Sequence, residues 1–192
     1  MIAQIKAGYT DVQILGENPK YAFRLKDMNL LRQTLLSDHC KRNRREVMAL
    51  YLFGADAELM TNFVYSKHGA ENICRIIHYK NKNISFDSYT AEDVLLLERF
   101  RSDIPLRDMM NYLSSYPIML PARYVDRVAC YTQVYITSDL PPDLQYPMGK
   151  YTALRTNEFY NRLDQIIEFT EDGTIIEWNA KNRINMEDSH DL

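Results

Sequence analysis

The sequence is poor in the residues that mark secreted, metal-binding or disordered proteins. Its three cysteines, Cys40, Cys74 and Cys130, are scattered, with no CxxC pair and no spacing typical of metal ligands. We therefore expect buried free thiols in a reducing compartment and no metal site. With six glycines and seven prolines in 192 residues, the chain also lacks the composition of a low-complexity segment.

Long apolar runs are missing as well. The longest, such as DVLLLERF at 93–100, are too short to span a bilayer, and the N-terminus lacks the apolar region of a signal peptide. The net charge of −3 gives no overall attraction to nucleic acid, so such binding would need a local basic patch. These absences favour a cytoplasmic protein that does not associate with membranes.

What is present is an ordinary globular composition, 46% hydrophobic and 26% charged, in a chain that suits one domain with a substantial core. Apolar segments alternate with helical ones, which predicts an α/β fold with a mostly parallel sheet and helices on its faces. The predicted strands are 47–53, 72–79, 93–100 and 130–139. The predicted helices are 21–40, 57–69 and 105–116, while 156–170 has a helical pattern that passes into a strand and then a hairpin at 172–173.

Three regions follow from these patterns: a helical N-terminal segment at 1–46, a core at 47–178 and a polar, acidic tail at 179–192. The N-terminal segment carries one apolar stripe at helical spacing, made of Leu25, Met28, Leu31 and Leu35. The basic connector KRNRRE, residues 41–46, is predicted to be exposed to solvent.

Polar or flexible residues follow three of the predicted strands: Gly54, Glu98 and Asp139. Ligands of parallel α/β sheets bind beyond the carboxyl ends of the strands. We therefore expect a site at this edge of the sheet. Thr61 stands seven places after Gly54, which is the spacing of the glycine and the Ser/Thr in a phosphate-binding loop.

A family resemblance rests on longer stretches. Residues 86–147, from FDSYTAEDVLLLERF to SDLPPDLQYP, resemble the helicase segment of rolling-circle replication initiators (Rep proteins) of plasmids and mobile elements. These are superfamily-three helicases with an AAA+-like core. Residues 18–36 are similar to the stretch before that core, and 162–174 are similar to its C-terminal end. The resemblance covers about 18–176 and implies an AAA+-like P-loop core.

The nicking domain of these initiators is not expected here. In the family it holds a metal with a histidine pair and attacks DNA with a tyrosine. In this chain about 46 residues precede the first predicted strand, and no His-x-His is present. The isolated histidines are His39, His68, His78 and His190. Nicking and covalent attachment to DNA are therefore not expected.

The first ATPase motif that the resemblance implies is degenerate. A phosphate loop needs glycines, so that backbone N–H groups approach the phosphates, and a lysine that meets their charge. Here Leu59 stands at an inner glycine position and Met60 at the lysine position. Asp56 and Glu58 add carboxylates, each opposing a triphosphate by on the order of 3 kcal/mol at an effective dielectric near 20.

The other ATPase positions are altered too. The resemblance implies paired acidic residues in the second motif, but Glu98 is followed by Arg99. It implies a sensor asparagine in the third motif, where Asp139 stands. The family also has consecutive arginines, and one of these is a candidate arginine finger that reaches a neighbouring subunit. In this chain only Arg162 of those arginines remains. We expect a pseudo-ATPase that binds neither ATP nor Mg²⁺.

Each of these residues also has a purely structural interpretation. Gly54 and Asp56 could make a strand-to-helix turn and cap a helix. Glu98 could pair with an arginine such as Arg101. Thr61 and Met60 could be ordinary helix residues, with Met60 filling the space of a nucleotide.

A hairpin is implied between the second and third motifs, where family members carry their DNA-tracking loop. Arg123, Tyr124 and Arg127 place two cations around an aromatic ring, a combination that suits stacking and phosphate contacts on single strands. The alternative is an ordinary surface hairpin whose arginines pair with Asp126 or Asp103.

The expected function is therefore binding without catalysis. The chain would be a regulator or inhibitor encoded by a mobile element. Its partner would be a protein, either an active initiator or a host defence protein such as a CRISPR nuclease, or a single-stranded nucleic acid. The alternative is a replication protein with residual nucleotide or single-stranded DNA binding.

Overall fold

A six-stranded sheet forms the centre of the protein, as a computed structural model of residues 1–79, 84–146 and 158–179 shows. The strands lie in the order β2-β3-β6-β1-β7-β8. A separate two-stranded hairpin pairs β4 with β5. The strands are β1 (Met48–Gly54), β2 (Ile73–Ile76), β3 (Val94–Leu97), β4 (Met119–Leu120), β5 (Arg127–Val128), β6 (Gln133–Ser138), β7 (Gln165–Phe169) and β8 (Ile175–Asn179).

Five strands run parallel, and β8 alone returns antiparallel to β7. The predicted α/β fold with a mostly parallel sheet is confirmed. Strands β1 and β6 are neighbours at the centre of the sheet. From β1 the chain continues to β2 at one edge of the sheet, whereas from β6 it continues in the opposite direction, to β7. Neighbouring strands whose connections diverge in this way form a topological switch point, where α/β sheets bind ligands.

Strand β1 is buried on both faces because its side chains alternate between two apolar clusters. Ala49 and Tyr51 join the larger cluster, whereas Leu50 and Leu52 join a smaller one. This alternation is the two-residue period of a strand. On the larger side, Phe159 stacks edge-on against Tyr51 with ring centroids 6.2 Å apart, which docks the helical turn at 158–160 onto the sheet.

Two helices of the core begin where the sequence predicts, and the first also ends there, whereas the second ends at Tyr112, before the predicted end at 116. Helix α4 (Ala57–His68) begins after Asp56 and ends before Gly69, whose φ of 77° suits glycine. The helix before the hairpin, α5 (Leu106–Tyr112), begins after Pro105. The predicted hairpin at 172–173 joins β7 to β8, and the predicted tail at 179–192 lies outside the described residues except for position 179.

The N-terminal segment has its own small core. It contains α1 (Ile2–Lys6), α2 (Asp11–Glu17) and α3 (Leu25–Arg42). A capping box between Thr10 and Gln13 starts α2. Met28 is buried with Ile5 and Ile14, and Leu31 and Leu35 pack beside them, so the predicted stripe is confirmed at these three positions, while Leu25 is exposed.

The predicted helix at 21–40 begins later than expected, because Pro19–Arg24 form a 3-10 helix and the α-helix starts at Leu25. No helix in the part of the chain that the structure describes is long and apolar enough to cross a membrane.

Candidate functional site

The carboxyl edge of the sheet brings together the loop after β1 and the residues that follow β3 and β6. Gly54 ends β1 and lies opposite Phe169 in the pairing with β7. A Cβ atom at Gly54 would lie 2.2 Å from the Phe169 carbonyl oxygen, and its φ is +155°. Close approach of two backbones therefore requires glycine here, independently of any phosphate.

Asp56 closes the amino end of α4 with its own carboxylate. Its Oδ1 atom accepts hydrogen bonds of 2.9 Å from the backbone N–H groups of Glu58 and Leu59. Unpaired N–H groups at a helix start are the donors that bind phosphate in nucleotide sites. In this protein a fixed carboxylate holds two of them, so the predicted capping role of Asp56 is confirmed.

The positions of the missing glycine and lysine face different environments. Leu59 is exposed, whereas Met60 is 1% exposed and packs in the cluster with Leu52 and Val64. The side chain at the lysine position of the motif therefore points into the core. Thr61 donates its hydroxyl to the Ala57 carbonyl oxygen at 2.9 Å, as an ordinary helix threonine does.

Glu98 is a buried carboxylate, 4% exposed, that directly follows β3. It pairs with Arg75 of β2, so the expected pairing with an arginine is confirmed, although the partner is Arg75 and not Arg101. Burial raises the pKa of Glu98, but the hydrogen bond and charge of Arg75 outweigh it, with smaller contributions from Thr61 and Arg99, and the pKa lies below its usual value. Arg75 thus neutralises the acidic residue that the resemblance would place in the second motif.

Asp139 follows β6 and is also neutralised. Arg101 reaches it with two guanidinium nitrogens, and the Nε–Oδ1 distance is 2.8 Å. This hydrogen bond holds the pKa of the Asp139 carboxyl below its usual range. Arg99 lies between the two pairs with φ of +54° and donates its backbone N–H to the Thr137 hydroxyl at 3.1 Å, a left-handed conformation that is uncommon for a residue other than glycine.

A buried polar network behind this edge escaped the sequence analysis. Gln145 donates from Nε2 to the Tyr51 hydroxyl at 2.8 Å and to Ser138 Oγ at 3.0 Å. Its Oε1 accepts from Ser102 at 2.8 Å. These bonds tie the loops after β3 and β6 to β1, so the edge is rigidly built. Glutamine in a proline-rich loop carries no sequence signal for such a role.

Arg162 lies away from this group of residues. It lies three residues before β7, and Asp164, which directly precedes β7, forms two hydrogen bonds of 2.8 Å with the backbone of Ala49 at the start of β1. Arg162 is thus at the amino edge of the sheet, opposite the edge that carries Gly54, where within one chain it does not reach the degenerate loop.

The predicted hairpin exists as β4 and β5, and its tip is exposed. Tyr124 is 88% exposed, and Arg123 and Arg127 are exposed beside it. The tip is held by hydrogen bonds from Arg123 N to Asp87 Oδ1 at 2.5 Å and from Ala122 N to Asp126 Oδ1. The Asp87 carboxylate accepts from the Arg123 backbone, and this lowers its pKa. The predicted pairing of arginine side chains with Asp126 or Asp103 is not among the described ion pairs.

The connector at 41–46 holds a second residue that the sequence analysis missed. Arg45 was predicted to be solvated, but it is 5% exposed. Its guanidinium donates to the carbonyl oxygens of Tyr131 at 3.1 Å and Ser114 at 2.9 Å and stacks on the Tyr131 ring at 4.4 Å. A buried cation held by carbonyls and a ring fixes this connector to the core.

Comparison with known proteins identifies no family. No protein-family model matches the chain, and a search of curated proteins finds no match. Among the described residues, no group of three or more histidine, cysteine or acidic side chains is arranged to hold a metal ion. What the structure establishes is an α/β fold with a mostly parallel six-stranded sheet flanked by helices.

Proposed function

We propose that the chain is a non-catalytic protein, related to the helicase domain of rolling-circle replication initiators, that acts by binding a partner. The observation that carries this proposal is the Asp56 carboxylate on two N–H groups at the start of α4. A γ- or β-phosphate at this position would have to displace a fixed anion and would meet its charge.

The remaining ATPase positions support the same proposal. Magnesium needs free carboxylate or hydroxyl oxygens, yet Glu98 and Asp139 are each engaged by an arginine. The lysine position is occupied by Met60 in the core. Three independent features therefore oppose nucleotide binding, and each would have to be undone separately.

A protein partner is favoured by the surface of the N-terminal helices. Phe23 is 96% exposed, Val12 80% and Leu30 63%, and contiguous patches of exposed apolar side chains mark contact surfaces; we propose that these residues belong to one such patch. We propose that this surface binds an active initiator or a host defence protein, which would make the chain a regulator or inhibitor encoded by a mobile element.

The first experiment asks whether ATP binds. For a dissociation constant above about 10 mM, 2 mM ATP with Mg²⁺ stabilises by only about 0.1 kcal/mol, so the unfolding midpoint should rise by less than about 1 °C. Asp56→Ser keeps a capping side chain while removing the carboxylate, and it should not restore binding because Met60 and the two arginine pairs remain. A midpoint rise of several degrees, or release of phosphate, would reject the proposal in favour of a replication protein with residual nucleotide binding.

Single-stranded nucleic acid is a second candidate partner, which the exposed Tyr124 between two arginines supports. Fluorescence anisotropy with labelled oligonucleotides at rising salt should then show affinity that falls with ionic strength. Arg123→Ala with Arg127→Ala should flatten this dependence, whereas Lys20→Ala with Arg24→Ala, far along the chain in the 3-10 helix, serves as a charge-matched control. Equal losses in both double variants would point to nonspecific attraction.

A further inference from the structure

Two of the three cysteines lie in one small cluster. Cys40 is in the last turn of α3, and Cys130 lies just before β6; they are 5% and 7% exposed and pack together with Val128. The Sγ atom of Cys130 is 3.9 Å from the carbonyl oxygen of Leu36, one helical turn before Cys40. Burial, together with the neighbouring Cys40 thiol, raises the pKa of the Cys130 thiol.

The third cysteine is separate from this pair. Cys74 lies on β2 and packs in the large cluster of the sheet. The protein therefore carries an internal reference thiol, buried like the others but without a cysteine neighbour in its cluster.

We propose that Cys40 and Cys130 form an oxidative cross-linking site, in which an intramolecular disulfide fastens the N-terminal helices to the core. The two cysteines are 90 positions apart in the sequence, and the cluster they share is a junction between α3 and the segment that leads into β6. A bond at this position joins the two parts of the molecule at their contact.

The oxidant that balances this step is a low-molecular-weight disulfide such as oxidised glutathione. The thiolate of one cysteine attacks it, forming a mixed disulfide and releasing one glutathione thiolate, which takes up a proton. The second cysteine then attacks the protein sulfur of the mixed disulfide and releases the second glutathione. Two protein thiols are oxidised, and one small disulfide is reduced to two thiols.

Burial makes the reaction depend on opening of the junction. Burial raises the pKa of the Cys130 thiol, so little thiolate forms in the closed state. The small core of the N-terminal segment, built on Ile5, Ile14 and Met28, makes local separation of α3 less costly than global unfolding. Oxidation should therefore be slow in the closed protein and faster under conditions that loosen α3.

The cross-link should stabilise the protein because it closes a loop of 90 residues. From the loop-entropy relation and the usual dependence of the midpoint on stability, we expect the unfolding temperature to rise by roughly 9–18 °C on oxidation and to return on reduction.

The experiment equilibrates the full chain in oxidised and reduced glutathione and maps disulfides by mass spectrometry of non-reduced peptides. We expect a monomeric 40–130 disulfide in the wild type and in Cys74→Ser, and none in Cys40→Ser or Cys130→Ser. Disulfide mapping of the oxidised wild-type protein is enough to test the proposal, so the test does not depend on whether a serine variant folds. Absence of the 40–130 link at full oxidation, links that involve Cys74 to the same extent, or a lowered midpoint on cross-linking would overturn the proposal. None of these outcomes depends on whether the chain binds ATP or a partner.

Discussion

Replacing Gly54 with alanine tests why glycine stands at the start of the degenerate loop. If the residue is needed for close packing of β1 on β7, the variant should be strongly destabilised with no nucleotide present. The added Cβ would lie 2.2 Å from the Phe169 carbonyl oxygen and 3.0 Å from its Cβ. Because the nearest atom belongs to backbone in a paired strand, no side-chain rotation relieves the clash.

The magnitude follows from two contributions. Forcing a methyl group into a packed site typically costs about 1–3 kcal/mol, and holding a non-glycine residue at a rarely populated φ costs a further ~1–3 kcal/mol. The sum of about 2–6 kcal/mol corresponds to a midpoint lowered by roughly 4–24 °C in a chain of this size.

Urea unfolding followed by circular dichroism measures the free energy directly. Gly16→Ala is the matched control: nothing lies within 4 Å of a Cβ at Gly16 in α2, so alanine there should be neutral or stabilising by less than about 1 kcal/mol. If Gly54→Ala matched the wild type within about 0.5 kcal/mol, the packing explanation would be refuted, and a phosphate-binding role for this glycine would regain support.

Three further substitutions probe the buried charges and the lysine position. Met60→Lys should lower the free energy of unfolding by at least about 3 kcal/mol and restore no ATP binding, because the side chain enters the core, while Met60→Leu should cost under ~1.5 kcal/mol. Arg75→Ala should destabilise by about 1–3 kcal/mol at pH 7, reduced by solvent screening at this 42% exposed side chain. The pKa of Glu98 in the folded protein lies below its ordinary value of 4.5, so the stabilisation that Arg75 provides is complete at neutral pH. The difference in free energy of unfolding between the wild type and Arg75→Ala should therefore decrease as the pH falls below about 4.5, which unfolding measurements at several pH values would show. Arg45→Lys should destabilise nearly as much as Arg45→Ala, because a single ammonium cannot reproduce the planar fork between two carbonyls and a ring; full rescue by lysine would contradict this account.

The local signals in the sequence predicted the fold well. The apolar run at 47–53 became the central strand β1, and Asp56 with Gly69 bounded α4 as its cap residues should. These predictions succeeded because strands buried on both faces and helix ends are determined by residues adjacent in sequence.

Charge partners could not be predicted in the same way. Arg101, three residues from Glu98, was the expected partner, but Arg75 takes that place from a neighbouring strand. The parallel register that sets Ile76 against Leu97 brings Arg75 beside the end of β3. That register is a property of the assembled sheet. Arg101 is then left to pair with Asp139 across the gap between the loops after β3 and β6.

Arg45 illustrates a second limit of sequence reasoning. Six polar residues in a row, five of them charged, are normally solvated, and nothing in KRNRRE distinguishes the one that is buried. Its burial depends on the carbonyls of Ser114 and Tyr131, which lie 69 and 86 positions away. Only tertiary structure brings those oxygens together.

Met60 bears most directly on whether this protein could bind a nucleotide. The degenerate loop differs from a phosphate loop in orientation as well as in composition, because the residue at the lysine position is among the core residues of the smaller cluster. Exchanging Met60 for lysine would therefore bury an ammonium, and only a rotation of the first turn of α4 could bring it to a phosphate. That rotation would break the two hydrogen bonds that the Glu58 and Leu59 N–H groups donate to Asp56, and it would remove Met60 from the core. The cap and the core side chain thus stabilise the same arrangement, which favours a protein that works through its surfaces.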